Sequence, residues 1–374
     1  MNLFSFIPLE IYQAVYTYTI FALCMVMVVR NIHSEGNQLI YQPVRIPLPA
    51  ILLTLVLALY AGMRAHSSVF FGDTSTYVYS YENIVSGYSE TREGEWLWQN
   101  FMYFCKSMGL NAQQFFIIDD LLYFGLMLIC CWRLFPRNTW VAILFCFISF
   151  SCFTYGTNGI RNGLACSMIM AAMSLVVEDD WRRYMGLLLL LPAMAIHKST
   201  SLPIAACFAA VFLIKEPKYA IGFWVASIFI SLLVGNAVGE FFADLGFDDR
   251  MGSYFEGQGS TEEMQKFSST GFRWDFLLYS AMPVVMTWYV TVKRAFRDRA
   301  FNIIAITYIL SNAFWVMVIR AAYSNRFAYL SWFLYPIVIA YPLLRFRIWD
   351  DQDRKTALIL LAYAGFTLIM FLRG

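Results

Sequence analysis

The sequence predicts an all-α polytopic membrane protein with about 12 transmembrane helices of roughly 20 residues each. Three observations carry that expectation. Of the 374 residues, 60% are hydrophobic and 14% charged, with a mean hydropathy of +0.58, outside the range of soluble globular chains. Apolar stretches long enough to span a bilayer follow one another along most of the chain. Basic residues gather in alternate short loops between them.

The expected spans are residues 9–29, 47–63, 113–134, 139–156, 159–177, 184–197, 199–214, 219–243, 274–292, 301–319, 327–344 and 356–372. The sixth and seventh are short, which suits tilted or broken helices. The opening MNLFSFIPLEIYQ has no Lys or Arg before its first apolar run and no small-residue cleavage pattern after it, so an uncleaved first helix is expected. Sixteen of the 27 Lys and Arg residues, among them Arg30, Arg133, Arg137, Arg182, Arg183 and Lys293, lie in one set of alternate short loops. The positive-inside rule makes that side cytoplasmic and leaves both termini outside. With no internal repeat or separate soluble segment, residues 1–374 read as a single transmembrane domain. Two extracytoplasmic excursions interrupt it, at 64–112 between helices 2 and 3 and at 244–273.

Several function classes drop out. A net charge of +2 without a basic tract gives no footprint for nucleic acid. The eight cysteines lack metal-ligand spacing, and neither a disulfide nor a metal is expected from them. Asp351-Gln-Asp353 has the form of an Asp-x-Asp metal motif but sits in a short basic loop without companion ligands, so no metal is expected there either. The acidic pair Asp119-Asp120, a few residues into the third span, receives no role.

Outside the long excursions and the tail, the basic residues remaining on the outer side are Arg161, Lys198, Arg320 and Arg326. A charge costs roughly 2.5–3.5 kcal/mol at a helix centre, so such a cluster on one face points to a membrane enzyme with an outward-facing site. Arg161, in YGTNGIRNGLA, falls in the first turn of the fifth span, where free N–H groups and the helix dipole favour an anion. Its guanidinium fork suits phosphate oxygens, and Gly159 and Gly163 leave room for close approach. His197, in AIHKSTSLP, is the histidine set among polar groups at an outer helix end; imidazole is the usual general base near neutral pH. Arg320 and Arg326 bracket AAYSN, with Tyr323 between them, and two arginines so close suit a pyrophosphate clamp. Asp73 and Tyr77 stand one helical turn apart in FFGDTSTYVYSYENI, and GEWLWQNFMYFCKSMGL reads as an amphipathic piece lying along the membrane. Each arginine also fits an interface anchor, and His197 a helix cap.

In order, Asp73-x-x-x-Tyr77, Glu95 in GEWLW, Arg161-Asn-Gly-Leu-Ala, His197-Lys-Ser and Asn325-Arg326 resemble the EpsG family of bacterial exopolysaccharide polymerases, relatives of the Wzy polymerases. Where the family often has Gln after the arginine, this chain has Asn162, which keeps the amide. The resemblance implies a GT-C-like fold in the bacterial inner membrane with the site on the extracytoplasmic face. It implies metal-independent, cofactor-free transfer of a growing glycan from undecaprenyl pyrophosphate to a sugar hydroxyl of the next lipid-linked unit, as in exopolysaccharide, capsule or O-antigen assembly. Membrane lipid, a flippase and a chain-length-regulating co-polymerase are the implied partners. On this reading His197 and Arg161 are catalytic. Arg161, Lys198, Arg320 and Arg326 bind pyrophosphate, while Asp73, Tyr77, Glu95 and Tyr323 contact sugar. A ligase or single-sugar GT-C transferase makes the same chemical demands, and a transporter or flippase of lipid-linked oligosaccharide is the alternative from another class.

Overall fold

The computed structural model describes residues 3–34, 36–84, 94–244, 272–320 and 325–373, with backbone alone for 234–244 and 325. Every regular element among them is helical. The chain divides into two compact units, the first comprising Met1–His197 and Ala340–Gly374, the second Lys198–Ile339.

Six helices are long and apolar enough to cross a membrane: Leu9–Asn31, Ala112–Leu134, Trp274–Lys293, Arg299–Met317, Arg326–Arg345 and Gln352–Leu372. Four shorter apolar helices, Leu48–Gly62, Ile160–Val176, Lys198–Leu213 and Pro217–Leu233, fall on other expected spans. The protein is thus a helical, multi-pass membrane protein; among the described residues six helices have the length and apolarity of a full crossing.

In the first unit, α1 (Tyr12–Asn31) is followed by the short α2 (Gln38–Tyr41) and by α3 (Leu48–Gly62). The first expected excursion is helical: α4 (Ser68–Phe71), α5 (Thr74–Asn83) and α6 (Trp96–Ser107). In α6, Trp98, Met102 and Cys105 are buried at helical spacing while Trp96, Tyr103 and Phe104 face outward, as the amphipathic reading expected. The long α7 (Ala112–Leu134) opens on a capping box, in which the Asn111 side chain accepts from the Gln114 N–H and the Gln114 side chain accepts from the Asn111 N–H. Its packing against α3 is close, since a methyl on Gly62 would lie 2.6 Å from the Ile117 Cα.

The expected fourth span, 139–156, is broken into α8 (Thr139–Phe147) and α9 (Cys152–Thr157). Hydropathy does not register such a break, because Ile148 and Phe150 keep the average apolar across Ser149 and Ser151. Side chains from other helices meet the released carbonyls, as buried backbone requires. The Tyr16 hydroxyl donates to the Phe147 carbonyl at 2.9 Å and the Thr367 hydroxyl to that of Ile148 at 2.7 Å. Next, α10 (Ile160–Val176) packs between α7 and α11 (Trp181–Ile196), and α11 ends where His197 turns extended.

Asp353 and Gln352, in the Asp-x-Asp stretch, serve as joints. Asp353 is fully buried and accepts from the backbone N–H groups of Gln38 and Leu39 at 2.8 and 3.1 Å and from the Ser34 hydroxyl. It thereby ties the start of α18 (Gln352–Leu372) to α2.

In the second unit, α12 (Ser201–Phe208) runs into a π turn and is followed by α13 (Pro217–Asp244), α14 (Trp274–Trp288), α15 (Arg299–Met317) and α16 (Asn325–Trp332). The helix α17 (Tyr335–Arg345) leads back to the first unit and to α18. At the centre α15 packs on α12, α13, α14 and α16. A buried chain fixes its register: the Trp224 indole donates to Asn312 at 2.7 Å, and the Asn312 amide donates to the Ser331 hydroxyl at 2.9 Å. The second expected excursion falls mainly on residues 245–271, outside the described residues.

Candidate active site

Arg161 sits in the first turn of α10, just past the corner formed by Asn158 and Gly159. This corner needs glycine on both sides. A methyl on Gly163 would overlap the Tyr155 carbonyl, and Gly72, whose φ is +53°, lies where any Cβ would collide with the Asn158 amide. The Asn158 side chain uses that space to accept from the Asp73 backbone N–H at 2.8 Å. Asp73, directly before α5, and Tyr77, one turn farther along, are in this way brought to the head of α10.

Glu95, directly before α6, is the hub. One carboxylate oxygen accepts from Arg161 Nη1 at 2.5 Å and the other lies 2.8 Å from His197 Nδ1. Glu95 is 1% exposed, whereas the Arg161 and His197 side chains are 13% and 14% exposed. A carboxylate this buried requires partners, and Arg161 and His197 are among them. Because an ionised carboxylate only accepts, Nδ1 carries the proton, which leaves Nε2 of the imidazole as the basic nitrogen.

Tyr77 completes the wall. Arg161 Nε is 3.4 Å from its hydroxyl oxygen, the guanidinium carbon is 5.6 Å from its ring centre, and the ring packs edge-on against the buried Trp98. Asp73 also acts electrostatically on the guanidinium. Among the described residues Arg161 Nη2 has no hydrogen-bond partner, and the side chain keeps some exposure. The fork is therefore half engaged by protein and half available to an anion.

A model of the EpsG family matches residues 48–373, most of the chain. This chain belongs to the EpsG family. Searches of curated proteins and of solved structures found no match. EpsG membership makes it an exopolysaccharide-polymerase-type membrane protein, and Asp73, Tyr77, Glu95, Arg161 and His197 all lie within the EpsG match.

Of the remaining residues singled out in the sequence, Lys198, Arg320 and Arg326 belong to the second unit. Lys198, half-buried, opens the second unit in a single turn, Lys198–Thr200. Arg320 is exposed past the end of α15, and Arg326 is half-buried in the first turn of α16. Tyr323 lies outside the described residues. Of the other histidines, His33 is exposed. His66 packs on Phe116, and burial with the nearby Arg64 holds its pKa below the usual imidazole value. Among the described residues, no three His, Cys, Asp or Glu side chains are grouped to hold a metal. The bridging position of Glu95 escaped the sequence, since its partners stand 66 and 102 residues away.

Proposed function

We propose that this EpsG-family protein is a polysaccharide polymerase. It transfers a growing glycan from undecaprenyl pyrophosphate to a hydroxyl of the next lipid-linked repeat unit, on the extracytoplasmic face of a bacterial inner membrane. The observation that carries the reading is the bridge from Arg161 through Glu95 to His197. Glycosyl transfer from a pyrophosphate needs a base for the attacking hydroxyl and a cation for the departing phosphate, and one carboxylate aligns both.

His197 Nε2 takes the proton of the acceptor hydroxyl as its oxygen bonds to the anomeric carbon of the donor. The bond from that carbon to the pyrophosphate oxygen breaks, and the pyrophosphate leaves with the electron pair. Arg161 Nη2 meets the charge that develops there. Glu95 holds the imidazole in its tautomer and stabilises the imidazolium, much as an acidic residue does in a hydrolase triad. Asp73 and Tyr77 line the adjoining wall as sugar contacts. Lys198, Arg320 and Arg326 are proposed to bind pyrophosphate on the strength of charge and position in the chain alone, and Tyr323 to contact sugar on the same footing. Fixed guanidinium charge supplies what a divalent cation supplies in other transferases, so the proposed reaction proceeds without metal.

The test is polymerisation by purified protein in detergent, given an undecaprenyl-pyrophosphate repeat unit from a strain lacking the polymerase, with EDTA present. A ladder of repeats is expected. A single addition would reassign the protein as a transferase or ligase, and no product from folded protein would sink the enzymatic reading.

A further inference from the structure

Arg64 follows α3, and both it and Asp120, in α7, are fully buried. Arg64 Nη1 donates to Asp120 at 2.9 Å and to the Ala61 carbonyl at 2.9 Å, and the guanidinium lies 4.6 Å from the centre of the Phe116 ring. Such a pair is a weak source of stability, because desolvating two charges offsets their attraction. Here the cost is larger still: among the described residues Arg64 Nη2 and Asp120 Oδ1 are buried with no hydrogen-bond partner. A costly pair next to a candidate site calls for a reason other than stability.

Its remaining contact gives one. Arg64 Nε donates to the Thr74 hydroxyl at 3.3 Å, and that hydroxyl shares its own proton between the carbonyls of Phe71 and Thr157, each at 2.9 Å. Thr74 is the first residue of α5, and Thr157 ends α9. One residue to either side, Asp73 is held by Asn158. The start of α5 is therefore held both by Arg64, paired with Asp120, and by the corner that presents Arg161. Tyr77, one turn farther along, touches Arg161 from a helix whose origin the clamp sets.

We infer that Arg64, Asp120 and Thr74 are positioning residues for the sugar-contacting wall. The buried ion pair fixes the origin of α5, and thereby the distance from Asp73 and Tyr77 to Arg161. The functional half of this statement rests on the polymerase reading; the structural half does not.

Two readouts test it, on full-length protein in nanodiscs. Asp120→Asn leaves Arg64 as an unpaired buried charge and risks misfolding, so the deciding variant is Thr74→Val, which keeps shape and ion pair but removes the hydroxyl. Backbone hydrogen exchange over residues 74–83 is expected to rise about tenfold in Thr74→Val while α10 stays protected, and Thr74→Ser is expected to restore wild-type exchange. With the undecaprenyl-pyrophosphate repeat unit as substrate, Thr74→Val is expected to raise the apparent KM about tenfold per folded molecule, and Thr74→Ser to leave it unchanged. A purely structural role would lower the amount of active protein at constant KM. Unchanged exchange overturns the inference, as does raised exchange with an unchanged KM. If wild-type protein makes no polymer, the functional proposal fails separately and the exchange result alone decides whether the clamp exists.

Discussion

Glu95 and His197, 102 residues apart, meet at 2.8 Å through a carboxylate oxygen and Nδ1, while the other oxygen of Glu95 holds Arg161. The side chains proposed as base and as anion-binding group thus share one buried carboxylate, so neither can be altered without the other feeling it.

Glu95→Gln keeps the volume of the side chain but removes the charge both partners depend on. Polymerisation per folded molecule is expected to fall by about 100-fold or more, because an amide offers one acceptor oxygen where the guanidinium and the imidazole need two, and no charge to stabilise the imidazolium. Product ladders quantified against detergent-stable protein check this. Activity within a few-fold of wild type would detach Glu95 from the mechanism.

Tyr77 touches Arg161 by hydroxyl and by ring face, and the two contacts separate by mutation. Tyr77→Phe is expected to cost under about tenfold in kcat/KM, since it loses only a long hydrogen bond. Tyr77→Ala also removes the ring beside the guanidinium and the packing against Trp98, and is expected to cost at least about tenfold more than Phe. Steady-state kinetics of the two variants check the order.

Gly72 has a positive φ and abuts the Asn158 amide, whereas a methyl on Gly125 in α7 would meet nothing within 4 Å. Gly72→Ala is expected to destabilise by about 1–3 kcal/mol or more, and Gly125→Ala to be neutral or slightly stabilising. Thermal unfolding in detergent, followed by tryptophan fluorescence, distinguishes them.

Asp353 accepts two backbone N–H groups and one hydroxyl far from Arg161 in the sequence. Asp353→Ala is expected to cost about 3 kcal/mol of stability through lost charge-assisted hydrogen bonds, yet leave the KM of folded protein unchanged. Comparing the unfolding midpoint with the KM checks both halves.

These cases show what the chain discloses. Helical class and multi-pass character follow from composition, and Arg161 and His197 stand out because an ionisable group at the end of an apolar stretch is costly. That Asp73, Tyr77 and Glu95 join them was legible as an ordered pattern of residues but not as geometry. Hydropathy treats 139–156 as continuous because Ile148 and Phe150 keep the window apolar across the break, and it says nothing of the Tyr16 and Thr367 hydroxyls that make the break affordable. The pairing of Arg64 with Asp120 is hidden for a similar reason: the two stand 56 residues apart, and only packing of α3 on α7 joins them.

The most direct measurement is polymer formation from an undecaprenyl-pyrophosphate repeat unit, with EDTA, by purified wild type, Arg161→Ala and His197→Ala at equal amounts of folded protein. The proposed mechanism, with His197 as base and Arg161 at the leaving pyrophosphate, predicts a ladder from wild type and none from either variant. A ladder from His197→Ala or Arg161→Ala at the wild-type rate would contradict it.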